Sequence, residues 1–247
     1  METHAHHLHK SSSHGWKHYF FEFFMLFLAV LFCGFLAEYQ LEHIIEKDRE
    51  KQYMRSMTED LKSDESMLEN NIVLRMQRIA MIDSLVYLLN LPQRSDYGND
   101  IYFLARRISP PINIFPNDGT IQQLKSAGNL RLIHRQQISG GIMAYDQKMR
   151  QSLFEMGDEV QIRAEYRTLA VKVFNTTIFN EMVRLETTIK PANNPKLFSE
   201  NAGLINEFIG AAQYIKRVNQ AQVNTTGQLL RQAKQLSADI KKEYDLE

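Results

Sequence analysis

A chain of 247 residues with 44% hydrophobic content can bury a sizeable core, which excludes disorder throughout. Its 29 Lys and Arg balance 29 Asp and Glu, so no excess charge advertises nucleic acid, and no basic face is interleaved with aromatics. The single cysteine, Cys33, excludes an intrachain disulfide and any metal site built on paired thiolates, while only 11 Gly and 6 Pro favour long helices over a turn-rich sheet.

Residues 1–15 read as a flexible tail rich in histidine, with His4, His6, His7 and His9 close enough together to bind zinc, nickel or copper. No carboxylate or thiol among them fixes a geometry, so incidental metal affinity is the expectation and a metal sensor the rival.

The stretch YFFEFFMLFLAVLFCGFLA, Tyr19 to Ala37, is apolar except for Glu22. As a helix it covers roughly 30 Å, the thickness of a bilayer's hydrocarbon. Trp16 and Tyr39 suit the two interfacial belts, so a transmembrane helix is expected over 16–39. Phe35 and Ala37 do not form a small-x-small cleavage pattern, which argues against a removed signal peptide. Basic residues alone would keep the large part inside, since Lys47, Arg49, Lys51 and Arg55 outnumber Lys10 and Lys17. The acidic flank, from Glu38 to Glu50, and the ease with which long domains translocate favour the opposite: tail in the cytoplasm, bulk across the membrane. Glu22 can snorkel to the headgroups or join a buried polar contact. Its helical stripe continues through Ala29, Cys33 and Ala37, small residues that let two such helices approach, so a homo-oligomer through this face is a candidate contact.

Residues 40–247 are expected to form a helical bundle. Leu41, Ile45, Met54, Met57, Leu61, Leu68, Ile72, Ile79, Ile82, Val86 and Leu89 fall mostly three, four or seven apart, with no Gly or Pro from Gln40 to Leu91. One long helix thus continues the anchor until Pro92. Two short helices follow, near Ile101 to Ile108 and from Thr120 to Ala127, the latter ended by Gly128. Ile138, Ile142, Tyr145, Met149, Leu153, Met156 and Val160 mark a second long helix running to about Leu185. Beyond Pro191 and Pro195, Ser199 can cap a third, whose stripe is Leu204, Phe208, Ala212, Ile215, Leu229, Ala233, Leu236 and Ile240. Asn219, Gln222 and Thr226 interrupt it, which predicts partial exposure there, with register-fixing polar core positions as the alternative. The fold class is all-α: an N-terminal transmembrane helix continuing into an elongated antiparallel bundle of three long helices, with two short helices in the first connection.

No Walker loop, Gly-x-Ser-x-Gly elbow, His-Glu-x-x-His or dinucleotide fingerprint is present, so no catalytic residue and no cofactor is assigned. Glu42, His43 and Glu46 share a helical turn but lack the paired Glu-x-x-His motifs of di-iron bundles, and His134 beside Arg131 and Arg135 reads as structural.

The segment GTIQQLKSAGNLRLIHRQQISGGIMAY, Gly119 to Tyr145, carries Thr120, Leu124, Lys125, Ser126, Gly128, Leu130, Leu132 and Ile133 followed by a tyrosine. With the charged helix-forming stretch EKDREKQYMRSMTEDLKSD at Glu46 to Asp64, it resembles an uncharacterised family of single-pass membrane proteins common in Bacteroidota. The resemblance implies a bacterial inner-membrane setting and brings no activity, ligand or catalytic residue. The expectation is therefore a non-enzymatic envelope protein, tethered to the lipid bilayer, that scaffolds, senses or binds an envelope partner. An accessory subunit of a channel or ion-driven complex, with Glu22 in the membrane contact, is the alternative.

Overall fold

A computed structural model describes residues 15–246 except 127 and 186. The chain divides into two compact units, Met1–Lys51 and Gln52–Glu247. Helix α1, Trp16–Leu89, begins in the first and ends in the second. Within the first unit its described side chains are almost all exposed, and this is the one stretch among the described residues long and apolar enough to cross a membrane, with mean hydropathy 2.4.

The second unit is all-α apart from a two-strand ribbon. After α1 a turn at Arg94–Tyr97 leads into α2, Gly98–Ile108, and α3, Gly119–Ser126. Then come α4, Gln136–Glu155; α5, Gly157–Val173; and α6, Thr176–Glu181. The antiparallel ribbon β1, Val183–Arg184, and β2, Thr187–Thr188, precedes α7, Ala202–Tyr244.

The second long helix differs from expectation in two places. It is interrupted at Met156 between α4 and α5, where the Glu159 amide donates to Met156 O in a tightened turn beside Gly157, a poor helix former. It also ends at Val173 rather than near Leu185. Phe174 turns extended, and the Asn175 side chain accepts from the Thr177 amide at 3.0 Å to start α6. The cap of α7 is Asn201, whose side chain accepts from the Leu204 amide at 3.0 Å; Ser199 Oγ instead accepts from the Asn201 amide.

Helix directions follow from the side-chain pairs. Tyr145 meets Asp64 and Glu159 meets Arg75, so both numbers rise together and α4–α5 run parallel to α1. Asp83 pairs with Lys216, Arg75 with Asn219 and Glu69 with Lys234, so α7 is antiparallel to α1. The antiparallel arrangement holds for α7; the second run is parallel to the first because residues 90–135 travel back along the bundle before α4 begins. Asp60 and Asp64 fasten that return, accepting from the Thr120 and Asn117 amides at 3.0 and 2.8 Å.

Two apolar clusters form the core. One joins Ile82, Leu85 and Leu89 of α1 to α2, Tyr166, Val173 and Phe174, and Ile205 to Ile215 of α7; the other joins Met54 to Leu68 to α3, α4 and Leu229 to Ile240. Gly98 sits where a Cβ would stand 2.3 Å from Pro195 O, so only glycine admits that loop against α2. Gly128 has φ +65°, the left-handed conformation that closes the segment after α3.

Candidate functional site

The buried positions of α1 in this unit are 54, 57, 61, 64, 68, 71, 75, 78, 82, 85 and 89, an unbroken alternation of three and four. On α7 they include 205, 208, 212, 215, 219, 222, 226, 229, 233, 236 and 240, again three and four throughout. Such spacing is the seam of a coiled-coil-like bundle. Its ends are apolar except for Asp64, and its middle is polar. Asn71, Arg75 and Arg78 of α1, Ser152, Glu159 and Arg163 of α4–α5, and Asn219, Gln222 and Thr226 of α7 are all buried. The expected partial exposure of Asn219, Gln222 and Thr226 is thus corrected: they lie 0%, 4% and 0% exposed because the seam's spacing carries them inward.

Arg75 engages four of its five donors. It donates to Asn71 Oδ1 at 2.9 Å, Glu159 Oε2 at 3.1 Å, Asn219 Oδ1 at 3.0 Å and the Ile112 carbonyl at 3.1 Å. Arg78 donates to Glu159 Oε1 at 3.1 Å and to the Pro110 carbonyl, while its Nε has no hydrogen-bond partner among the described residues. Arg163 approaches Glu159 at 3.6 Å, and Arg167 donates to Ser109 Oγ and its carbonyl at 3.0 and 3.1 Å. The layer therefore holds three buried guanidiniums around one buried carboxylate and ties the 109–112 loop to the helices. Burial pulls Arg78 down to about 10, partly countered by Glu159, which still leaves it charged at neutral pH. Burial lowers Arg163 as well.

A groove of about 460 Å³ opens beside this layer, lined by Gln77, Arg78, Arg107, Thr187 and Thr188 and by the Pro110–Pro111–Ile112 loop. Arg107 is exposed and lies 5.5 Å from the centre of the Phe103 ring.

A second polar group sits under the motif segment. Tyr145 donates to Asp64 Oδ2 at 2.6 Å, and burial together with that hydrogen bond holds its phenol well above the ordinary range, so it remains a donor. Burial likewise raises the Asp64 carboxyl, against the lowering effect of its Tyr145 and Asn117 hydrogen bonds. A carboxyl raised in the fold favours the folded state most below its unfolded value, and that contribution is lost as pH rises through the folded value. Replacing Asp64→Asn removes this term. Chemical denaturation at pH 4 and pH 7 is expected to show the variant gaining on the wild type as pH rises; an equal difference at both would sink the assignment.

Of the residues singled out in the sequence, Glu22, Ala29, Cys33 and Ala37 all lie exposed on α1 in the first unit, spaced by seven, four and four. His4, His6, His7 and His9 lie outside the described residues. Glu42, His43 and Glu46 are exposed on α1, with the His43 ring 6.4 Å from that of Tyr39, and no group of three metal-ligating side chains occurs among the described residues. In the motif segment, Thr120, Leu124 and Ile133 are buried, Leu130 and Leu132 half-buried, and Lys125 pairs with Asp146 at 3.0 Å. Hydropathy passed over the arginine layer. The signal that could have found it is the spacing, which runs from Leu68 through 71, 75 and 78 to Ile82 without a slip. No protein-family model, curated protein or solved structure matches this chain.

Proposed function

We propose that this chain is a single-pass membrane-tethered helical bundle, a non-enzymatic envelope protein that senses or holds a partner. Its tail would lie in the cytoplasm, its bundle across the inner membrane. The observation that carries the tether is the apolar stretch of α1, whose most apolar window has none of its residues buried. An aqueous helix does not leave Phe20, Phe23, Phe27, Leu31 and Phe35 all uncovered, whereas lipid covers such a face. The bacterial inner-membrane setting rests on the sequence resemblance. The non-enzymatic reading is supported by how the polar groups are used: Arg75, Arg78 and Glu159 of the seam, and the exposed Arg167, bond to one another or to neighbouring side chains and loop carbonyls rather than converging on an open reacting centre.

Alkaline carbonate extraction tests the tether. The wild-type chain is expected to stay in the membrane pellet, and the double variant Phe27→Arg, Leu31→Arg to be released, since each arginine at mid-span costs about 2.5–3.5 kcal/mol of insertion free energy. Release of the wild type would overturn the tether. A C-terminal alkaline phosphatase fusion reads orientation: activity places the bundle outside the cytoplasm, and a silent enzyme with a fluorescent C-terminal GFP reverses the assignment.

A further inference from the structure

The geometry points to the groove beside the arginine layer as a binding site for a phosphate group, with Arg107 at its mouth and Arg78 at its inner wall. The inference deepens the sensor reading and rests on it. Three observations converge. Among the described residues the groove's lining contains two arginines, a glutamine and two threonines but no carboxylate. The layer behind it holds Arg75, Arg78 and Arg163 against Glu159 alone, an excess of buried positive charge that an anion at the groove would offset. Arg107, unlike Arg94 or Arg150, has no ion pair among the described residues, so its planar donor fork is available for the paired hydrogen bonds that phosphate oxygens accept. The Thr188 hydroxyl and the Gln77 amide add neutral donors around the same space, while the Thr187 hydroxyl donates to the Arg184 carbonyl. Arg75 takes no part, because it does not line the groove and four of its five donors are engaged elsewhere.

The phosphate could belong to a soluble compound or to a lipid headgroup, and the test has an arm for each. The full chain is placed in phosphatidylcholine nanodiscs and titrated calorimetrically with inorganic phosphate and with glycerol 3-phosphate; separately, its thermal midpoint is compared between phosphatidylcholine and phosphatidylglycerol discs. Saturable binding of the soluble probes, weakened about tenfold or more by Arg107→Gln, is the expected result and assigns a free ligand, as loss of a hydrogen bond to a charged group implies. No soluble binding, with a higher midpoint in phosphatidylglycerol discs that Arg107→Gln abolishes, supports the same site with a lipid source. Arg217→Gln, an exposed arginine on α7, is the control and is expected to match the wild type in both arms. The proposal is overturned if neither arm responds, or if Arg107→Gln responds as the wild type does. Because Arg107 is exposed, its replacement is expected to leave folding intact, and Thr188→Val gives a second, uncharged probe of the same groove. The tether reading fails on carbonate extraction, where Arg107→Gln behaves as the wild type, so the two ideas fail separately.

Discussion

Replacing Glu159→Ala is expected to destabilise the bundle by about 3–5 kcal/mol, the usual consequence of stripping the counter-charge from a buried ion pair. Glu159 is 3% exposed and accepts from Arg75 and Arg78 on α1 while lying beside Arg163 one turn along α5. Without it, three guanidiniums share a low-dielectric layer with no carboxylate, and each raises the others' cost. Urea denaturation of the wild type and variant measures the change. A loss below about 1 kcal/mol would mean that water, rather than Glu159, screens the arginines. A double variant gives a sharper reading: Arg78→Met in the Glu159→Ala background is expected to recover part of the loss, because it removes one of the stranded charges. A further, additive loss would instead show that Arg78 stabilises chiefly through the Pro110 carbonyl.

Phe208→Ala is expected to lose about 3–5 kcal/mol through the cavity it leaves. Phe208 is fully buried on α7, with its ring 4.8 Å from that of Tyr166 and 5.2 Å from that of Phe174. Tyr166 in turn donates to the Ala105 carbonyl at 2.9 Å, and Tyr102 packs edge-on to Phe174 at 5.0 Å. One aromatic side chain on α7 therefore supports α2, α5 and the turn after it together. The internal control is Phe154→Ala: that side chain is 85% exposed and is expected to change stability by less than about 0.5 kcal/mol. Equal losses at the two positions in a denaturation series would refute the assignment of this cluster as the core.

The reach of the sequence differed from element to element. The extent of α1 was legible because nothing between Gln40 and Leu91 breaks a helix, and the short helices were legible because Gly128 and the Pro110–Pro111 pair mark their ends. The interruption at Met156 was hidden: 149, 152, 156, 159, 163 and 166 keep seam spacing straight through it, so periodicity reads as continuous helix even where the backbone tightens. The parallel direction of α4–α5 was equally hidden, since it depends on where residues 90–135 travel and not on any pattern within the helices. The arginine layer escaped because hydropathy treats Arg75, Arg78 and Arg163 as solvated, whereas their burial depends on carbonyls and a carboxylate that arrive from other segments.

That same parallel pairing has a consequence for how the molecule is made. Tyr145 lies 81 residues beyond its partner Asp64, and on the antiparallel α7 Lys234 lies 165 beyond Glu69. At roughly 5–20 residues per second, α1 leaves the ribosome on the order of 4–16 s before the first of those partners is synthesised. Throughout that interval its Met54, Met57, Leu61 and Leu68 face can meet only Ile114, Ile121 and Leu124 of the returning segment, with neither α4 nor α7 to complete the cover. Full closure of α1 is thus a late event that awaits the synthesis of α7, and until then part of its methionine-rich seam stays open to chaperones.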